Sequence, residues 1–402
     1  MENQWKYIEP KFRGEVVEEY RNDGYWVEAM DITKSGKLDL IGYGLGLGEV
    51  NWYRNPDWRI QNIVTLSGPV GMDHGDINGN GFDDIIICYQ YGKTMVDCDL
   101  EGGKIDWIEN PGELNKPWKR HYVGKATAMH RLRVGNFTQN NNLEIIGLPI
   151  VGAPFKVHTH VPVILYKQPH DLYTAESWDS EVISKDFYRV IHAGVKKRNP
   201  KTGLDSLFIA SEEGISWMYY DPNKCEWIIK LLGSGELTQF TKTSFKGSGN
   251  IDIGRIGNDD FAYIATVEPF HGNTIAVYCK DRDDFESANW KRIVLDVFDN
   301  PNDKGEGPAH HVVCADFDND GEDEFLVALR GPMPWQGVFY YKAIDARNGV
   351  FTKWRVSSES AARLAVGDFN GSGKLGFATN GYSVEGYFRT ENPKIMVFYN
   401  EM

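Results

Sequence analysis

A tryptophan-headed run of short, amphipathic β-rich sequence recurs seven times along the chain, and this recurrence limits the possible fold more than any other feature. The heads are Trp5 (WKYIEP), Trp58 (WRIQNIV), Trp118 (WKRHYVG), Trp178 (WDSEVIS), Trp227 (WIIKLLG), Trp290 (WKRIVLD) and Trp354 (WRVSSES), at spacings of 49 to 64 residues. Between successive heads lie a polar Asp/Asn/Gly turn, an apolar run such as LDLIGYG, DDIIICY or EFLVALR, and a more aromatic run often closed by proline, as in VNWYRNP and IDWIENP. With the segment before each turn, every cassette supplies four short strands, which is the blade of a propeller rather than a helical solenoid unit. No sustained 3.6-residue period competes. The expected fold is all-β, a single domain over residues 1–402 made of seven four-stranded antiparallel blades. The first tryptophan strand stands alone and the last cassette ends at Asn400 without one. Residues 4–9 are therefore expected to close the ring as the outer strand of the blade containing Phe398, which removes an exposed sheet edge.

The chain is 41% hydrophobic and 13% aromatic, enough for a large core and unlike a disordered segment. Its 43 basic and 57 acidic residues leave a net charge of −14, which repels a nucleic-acid backbone in the absence of a segregated basic face. The start, MENQWKYIEP, has no basic region followed by an apolar run, and no stretch approaches a membrane span. Five scattered cysteines, Cys88, Cys98, Cys225, Cys279 and Cys314, form no CxxC pair and suit buried thiols in a reducing compartment. These features lead us to expect a soluble, cytoplasmic protein.

The polar turns resemble the FG-GAP type of propeller loop, whose spaced carboxylates hold calcium or magnesium through oxygen. The clearest copy is Asp316, Asp318, Asp320, Gly321 and Glu324 in blade six. A weaker one is Asp76, Asn78, Asn80, Gly81 and Asp84, and others, such as Asp368 and Asn370, have lost ligands. Such turns also form without metal, because Asx side chains cap their own backbone.

In a propeller the innermost strand of each blade lines the channel, and the loops entering it share one face with the loops between second and third strands. His130 lies six residues before the turn opening at Asn136, and His310 six before Asp316. His192 takes the same place if the divergent turn of blade four opens near Arg198. His311 and Arg363 sit five residues before their turns, and His74 sits two before Asp76, with the same side-chain parity as the six-back histidines. The second set of loops adds Glu268, His271, His158, His160, Arg330, Trp335, Tyr91, Tyr382 and Tyr387. Three histidines and a carboxylate from blades four to six, namely His192, Glu268, His271 and His310, match the nitrogen and oxygen ligands of zinc. Strand histidines also fill wet channels without any such role.

The strings NDGYWVEA, LIGYGLG, ENPGEL, MHRLRVGNFT, FHGNTIAVYCK, RIVLDVF and HHVVCADFDNDGEDEFLVA together resemble the propeller portion of the fungal aldos-2-ulose dehydratase family, from about Asp23 to Val397. The resemblance implies a sugar dehydration step, acting also on 1,5-anhydro-D-fructose, with a zinc at the bottom of the propeller cleft. Family members continue into cupin and lectin-like domains that have no counterpart in this sequence. Dehydration β to a ketone needs a base for the α-proton, donors or a cation for the enolate oxygen, and an acid for the departing hydroxyl. The resemblance points to His130, in MHRL, as the base. His74, His311 and Arg363 are candidates to orient sugar hydroxyls or assist departure, and Arg131, Tyr91, His158, His160, Arg330, Trp335 and Tyr382 to bind sugar. The departure GMDHGD around His74 puts that residue's place in doubt.

Two other readings compete. A polysaccharide or oligosaccharide lyase removes the same kind of α-proton beside a uronate, and Arg131, Arg330 and Arg363 would face its carboxylate. A non-enzymatic carbohydrate-binding propeller would repeat one pocket on several blades, whereas here the polar residues differ from blade to blade. The partner expected is a small sugar, with no nucleic acid and no membrane. A homodimer is compatible with all three readings.

Overall fold

Seven stretches of short alternating strands fold into seven four-stranded antiparallel sheets, each a blade in chain order. The computed structural model describes residues 9–92, 95, 97–113, 115–138, 142–152, 159–242 and 244–402. The innermost strands are Trp26–Met30, Gly71–Gly75, Met129–Gly135, Ile191–Arg198, Asn250–Ile256, Ala309–Ala315 and Arg363–Gly367. The second strands, among them Asp84–Tyr89, Glu144–Pro149 and Glu324–Arg330, are buried along their whole length because a neighbouring blade covers each face. Outer strands such as Arg59–Thr65 lie largely at the surface, which is why polar residues such as Arg59, Gln61 and Asn62 are tolerated in them. Among the described residues the only helix is a single 3-10 turn, Ala346–Asn348, and none is long and apolar enough to cross a membrane.

The ring closes through the amino terminus, but with a different strand from the one expected. Phe12–Glu18 pairs antiparallel with Ile395–Asn400, from Phe12 opposite Asn400 to Val16 opposite Met396. Trp5 and most of residues 4–9 lie outside the described residues. Phe12 takes the part of the tryptophan head: its ring meets Phe377 edge-on at 5.1 Å and Phe317 at 6.1 Å. Glu15 accepts a hydrogen bond from the Trp58 indole at 3.1 Å, joining the closing blade to the first.

Apolar side chains of adjacent sheets interdigitate, so the core is a series of layers between blades rather than one central mass. The proline-closed runs have a second use. In RNP and ENP the asparagine side chain bridges two blades: Asn55 Nδ2 donates to Leu38 O at 2.9 Å and, in the preceding blade, to Phe369 O at 2.7 Å. Asn110 does the same to Asp83 O and Ile32 O, while its own N–H is held by Asp84 at 2.7 Å. Asn400 repeats the clamp to Leu375 O and Phe317 O. Substituting Asn110→Ala leaves two carbonyls without their donor and is expected to cost about 2 kcal/mol in denaturant unfolding, with an unchanged circular dichroism spectrum. A loss below about 0.5 kcal/mol, the usual size for an uninvolved surface position, would refute the clamp.

Candidate active site

Three of the seven innermost strands begin with an irregularity that aims a side chain into the channel. The pairing register shifts between Met129 and Arg131, between Ile191 and Ala193, and between Ala309 and His311. The residues at those bulges are His130, His192 and His310. An extra residue in one strand leaves the ladder and redirects its side chain, which turns strand alternation into a common direction. His271 joins them from the loop between the second and third strands of blade five, where it adopts a left-handed φ of 45°. The following Gly272 has no room for a side chain: a Cβ there would lie 1.8 Å from Glu268 O. This tight backbone carries His271 over the channel.

The four rings form one cluster. Centroids of His130 and His192 are 5.7 Å apart, of His192 and His271 4.9 Å, of His271 and His310 5.0 Å, and of His192 and His310 6.2 Å. All four residues are at most 6% exposed. Phe270 packs on His192 at 4.3 Å, Tyr91 on His130 at 5.6 Å, Tyr25 and Tyr382 on His310, and Tyr387 on His271 at 5.7 Å.

Backbone carbonyls decide the protonation of two rings. His192 Nδ1 is bonded to Gly249 O, and His310 Nδ1 to Ala362 O at 2.5 Å. A carbonyl only accepts, so each Nδ1 carries the proton and each Nε2 presents a lone pair. Both Nε2 atoms are buried without a partner among the described residues, as is Nδ1 of His130. Burial is the main cause that holds His130, His192 and His310 well below the usual imidazole range and His271 at about 4. Neutral imidazoles with a fixed tautomer and an unused lone pair are the form in which histidine binds zinc, and His192 and His310 offer it, but no three of these histidines bring ring nitrogens within 4.8 Å of one another.

Glu268 does not belong to this set. Its carboxylate is taken up by Thr266 Oγ1 and the Tyr278 hydroxyl, both at 2.9 Å, and by Arg292 at 2.7 Å. The carboxylate beside the histidines is Glu306, which lies 3.8 Å from His271 Nδ1 and pairs with Arg330 at 2.9 Å. Arg330 also reaches His271 Nδ1 at 3.5 Å and the Tyr382 hydroxyl at 3.4 Å. Glu306 is only four residues before His310, in the loop entering its strand, and an acid at that spacing is the signal that reveals it.

The other expected residues divide. Arg131 lies behind His130, donating to its carbonyl and to the Tyr25 hydroxyl at 2.6 Å. His311 and Arg363 lie next to the cluster: His311 Nδ1 accepts the Leu364 N–H, and the Arg363 guanidinium covers Trp26 at 3.9 Å. His74 is not with the four rings. It pairs with Asp83 at 2.9 Å near the polar turn, and although burial opposes the charge, that bond and the nearby acids raise its pKa. His160 is on the outer rim, exposed and bonded to Lys185 O, and Trp335 packs against Phe298, so neither lines the cluster. His158 lies outside the described residues.

In the blade-six loop three of the cation ligands expected from the sequence, Asp316, Asp318 and Glu324, lie together. The Lys342 ammonium sits among its carboxylates, 2.6 Å from Asp318, 2.6 Å from Asp320 and 2.9 Å from Glu324. Asp316 is engaged by the N–H groups of Asp320 and Gly321 and by Arg255. The ammonium supplies positive charge to a loop whose Asp316, Asp318 and Glu324 are also close enough together to hold an ion. In blade two, Asp76 caps Asn80 and Gly81, and Asp84 caps Ile77 and Asn110, so that turn is held by its own backbone. Added calcium is expected to leave the thermal midpoint of the parent unchanged but to raise that of Lys342→Met by a few degrees, because oxygen ligands without their ammonium repel one another. Equal responses of the two proteins would contradict this assignment.

Residues 102–281 match the family model described as aldos-2-ulose dehydratase, β-propeller domain. Across 414 aligned residues the chain is 38% identical to aldos-2-ulose dehydratase of Phanerodontia chrysosporium, covering 97% of this chain. The chain is similar to the propeller portion of aldos-2-ulose dehydratase. It spans 46% of that relative's length. Among solved structures, a chain of the mitotic checkpoint complex superposes with a TM-score of 0.55 at 8% identity, covering 98% of each chain. Virginiamycin B lyase from Staphylococcus aureus does so with a TM-score of 0.50 at 12% identity, covering 97% of this chain and 99% of that one. At such identities these two matches concern the fold alone.

Proposed function

We propose that this chain is a carbon–oxygen lyase that removes water from a keto-sugar such as 1,5-anhydro-D-fructose or an aldos-2-ulose. The observation that carries the reading is the asymmetric histidine cluster, with unused ring nitrogens on three blades and a single Arg330–Glu306 pair beside it. His130, neutral and with Nδ1 unbonded, takes the proton from the carbon α to the ketone. The electron pair of that C–H bond becomes the new C=C bond as the β C–O bond breaks, and the hydroxyl leaves as water with the proton returned by the imidazolium. Arg330 and the Tyr382 hydroxyl are the donors nearest the cluster for the carbonyl oxygen as it gains charge. His192 and His310, with His271, are the residues that would hold zinc, which when bound supplies Lewis-acid polarisation of a carbonyl. The aromatic wall of Tyr25, Tyr91, Phe270, Tyr382 and Tyr387 suits the C–H faces of a sugar ring.

The test is proton NMR in deuterated buffer with 1,5-anhydro-D-fructose. The reading requires loss of the α-hydrogen signal and then a vinylic resonance. Binding with neither change would replace it with the carbohydrate-binding reading.

A further inference from the structure

Beside the histidine cluster the channel holds two guanidinium groups that form no ion pair among the described residues, although the Glu28 charge acts on Arg363 from further away. Arg131 and Arg363 are 1% and 3% exposed and both lie over the same indole, at 5.1 Å and 3.9 Å from the centre of Trp26. Among the described residues no carboxylate comes within 4.0 Å of either one, whereas the third fully buried arginine nearby, Arg330, has Glu306. Arg131 spends its Nη atoms on Val70 O, His130 O and Tyr25, leaving Nε buried and unbonded. Arg363 has no hydrogen-bond acceptor among the described residues. His311 adds a third donor: Nδ1 accepts the Leu364 N–H at 3.1 Å, so the neutral ring carries its proton on Nε2.

The acids of this part of the channel are otherwise occupied. Glu28 accepts from the Trp26 indole at 3.3 Å, and burial raises its pKa. Asp73 accepts the N–H groups of His74 and Val134, and Asp83 pairs with His74. Burial, then Arg131, push the Arg363 guanidinium down to about 9, which still leaves it charged at neutral pH. Two buried like charges on one indole, of which Arg363 has no acceptor among the described residues and Arg131 only neutral ones, are costly unless something supplies negative oxygen. Glu28, His74, Arg133 and His311 are partly exposed, so water and small solutes reach this level of the channel.

We propose that this level is a binding site for a small oxyanion, a carboxylate or phosphate group held between Arg363, Arg131 and the Nε2–H of His311. The planar fork of arginine matches such a group with two parallel bonds. The anion is either a free inorganic ion or the acidic group of a sugar, and the site does not depend on the dehydratase reading.

The experiment is thermal unfolding of the purified protein in inorganic phosphate, in D-gluconate and in chloride at equal ionic strength, alongside calorimetric titration with phosphate and with D-gluconate. A rise of about 2 °C over chloride is expected from at least one probe in the parent, and none in Arg363→Met. In chloride the variant should be at least as stable as the parent, since it has lost an unpaired buried charge. A response to phosphate alone identifies a free anion, and one to D-gluconate alone identifies an acidic sugar. An anion bound instead to a metal at His192 and His310 would still bind Arg363→Met, and that result overturns the proposal. So does a parent that neither shifts nor gives heat with either probe, a measurement that stands even if the variant fails to fold. All readings are taken without keto-sugar, so a negative result removes the oxyanion site and leaves the proposed reaction intact.

Discussion

His130→Gln is expected to slow exchange of the substrate's α-hydrogen with solvent by a factor of about 10² to 10⁴, the usual cost of removing a general base. Glutamine keeps the size and polarity of the side chain, and His130 Nδ1 has no partner among the described residues, so no bond seen at that atom is lost. Thermal midpoint and metal content should therefore match the parent. The parent's pH profile carries a second signature. Burial and the Arg131 charge hold the His130 pKa below its ordinary value. The base therefore stays neutral as pH falls through about 6.5, and kcat/KM declines only at lower pH. The fold itself behaves differently: unfolded histidines take up protons below about 6.5 while His130, His192, His271 and His310 resist them, so stability falls as pH falls through that window. Exchange at the parental rate in His130→Gln would take the base role away from this residue.

His192→Ala and His310→Ala are each expected to weaken retention of a transition metal at least about 100-fold, which elemental analysis of protein purified without added metal measures directly. Each substitution removes an Nε2 lone pair that has no other partner. Glu268→Gln is the control, because its carboxylate is committed to Arg292, Tyr278 and Thr266 and its loss should leave the metal content as in the parent. Unchanged metal in both histidine variants, or loss in Glu268→Gln alone, would contradict the assignment.

Propeller architecture is readable in this sequence because each blade repeats the same local chemistry: a capped Asx turn, an apolar run, an aromatic run. Ring closure by the amino terminus follows from the missing strand of the last cassette. The choice of strand was misread because Trp5 carries the repeat's most visible residue, while Phe12 performs the same packing without it. Counting back from the turns brings His130, His192 and His310 to one register, and the structure adds why they converge: each occupies a bulge, which residue spacing does not display. Glu268 was misassigned because proximity to His271 in sequence says nothing about direction, and its second-strand position turns it toward Tyr278 and Arg292. His74 lies apart from the four rings because two residues before a turn is a different depth in the channel from six. Lys342 illustrates the limit of motif reading. The DxDxDG spacing is intact, but a lysine one strand away supplies the positive charge.

The most direct test of the central claim is the ultraviolet absorbance of a solution of 1,5-anhydro-D-fructose incubated with the purified chain. The account predicts a growing band of a conjugated enone, formed at a rate proportional to protein and strongly reduced in His130→Gln. A flat absorbance with protein that is folded, metal-loaded and able to bind the sugar would contradict it.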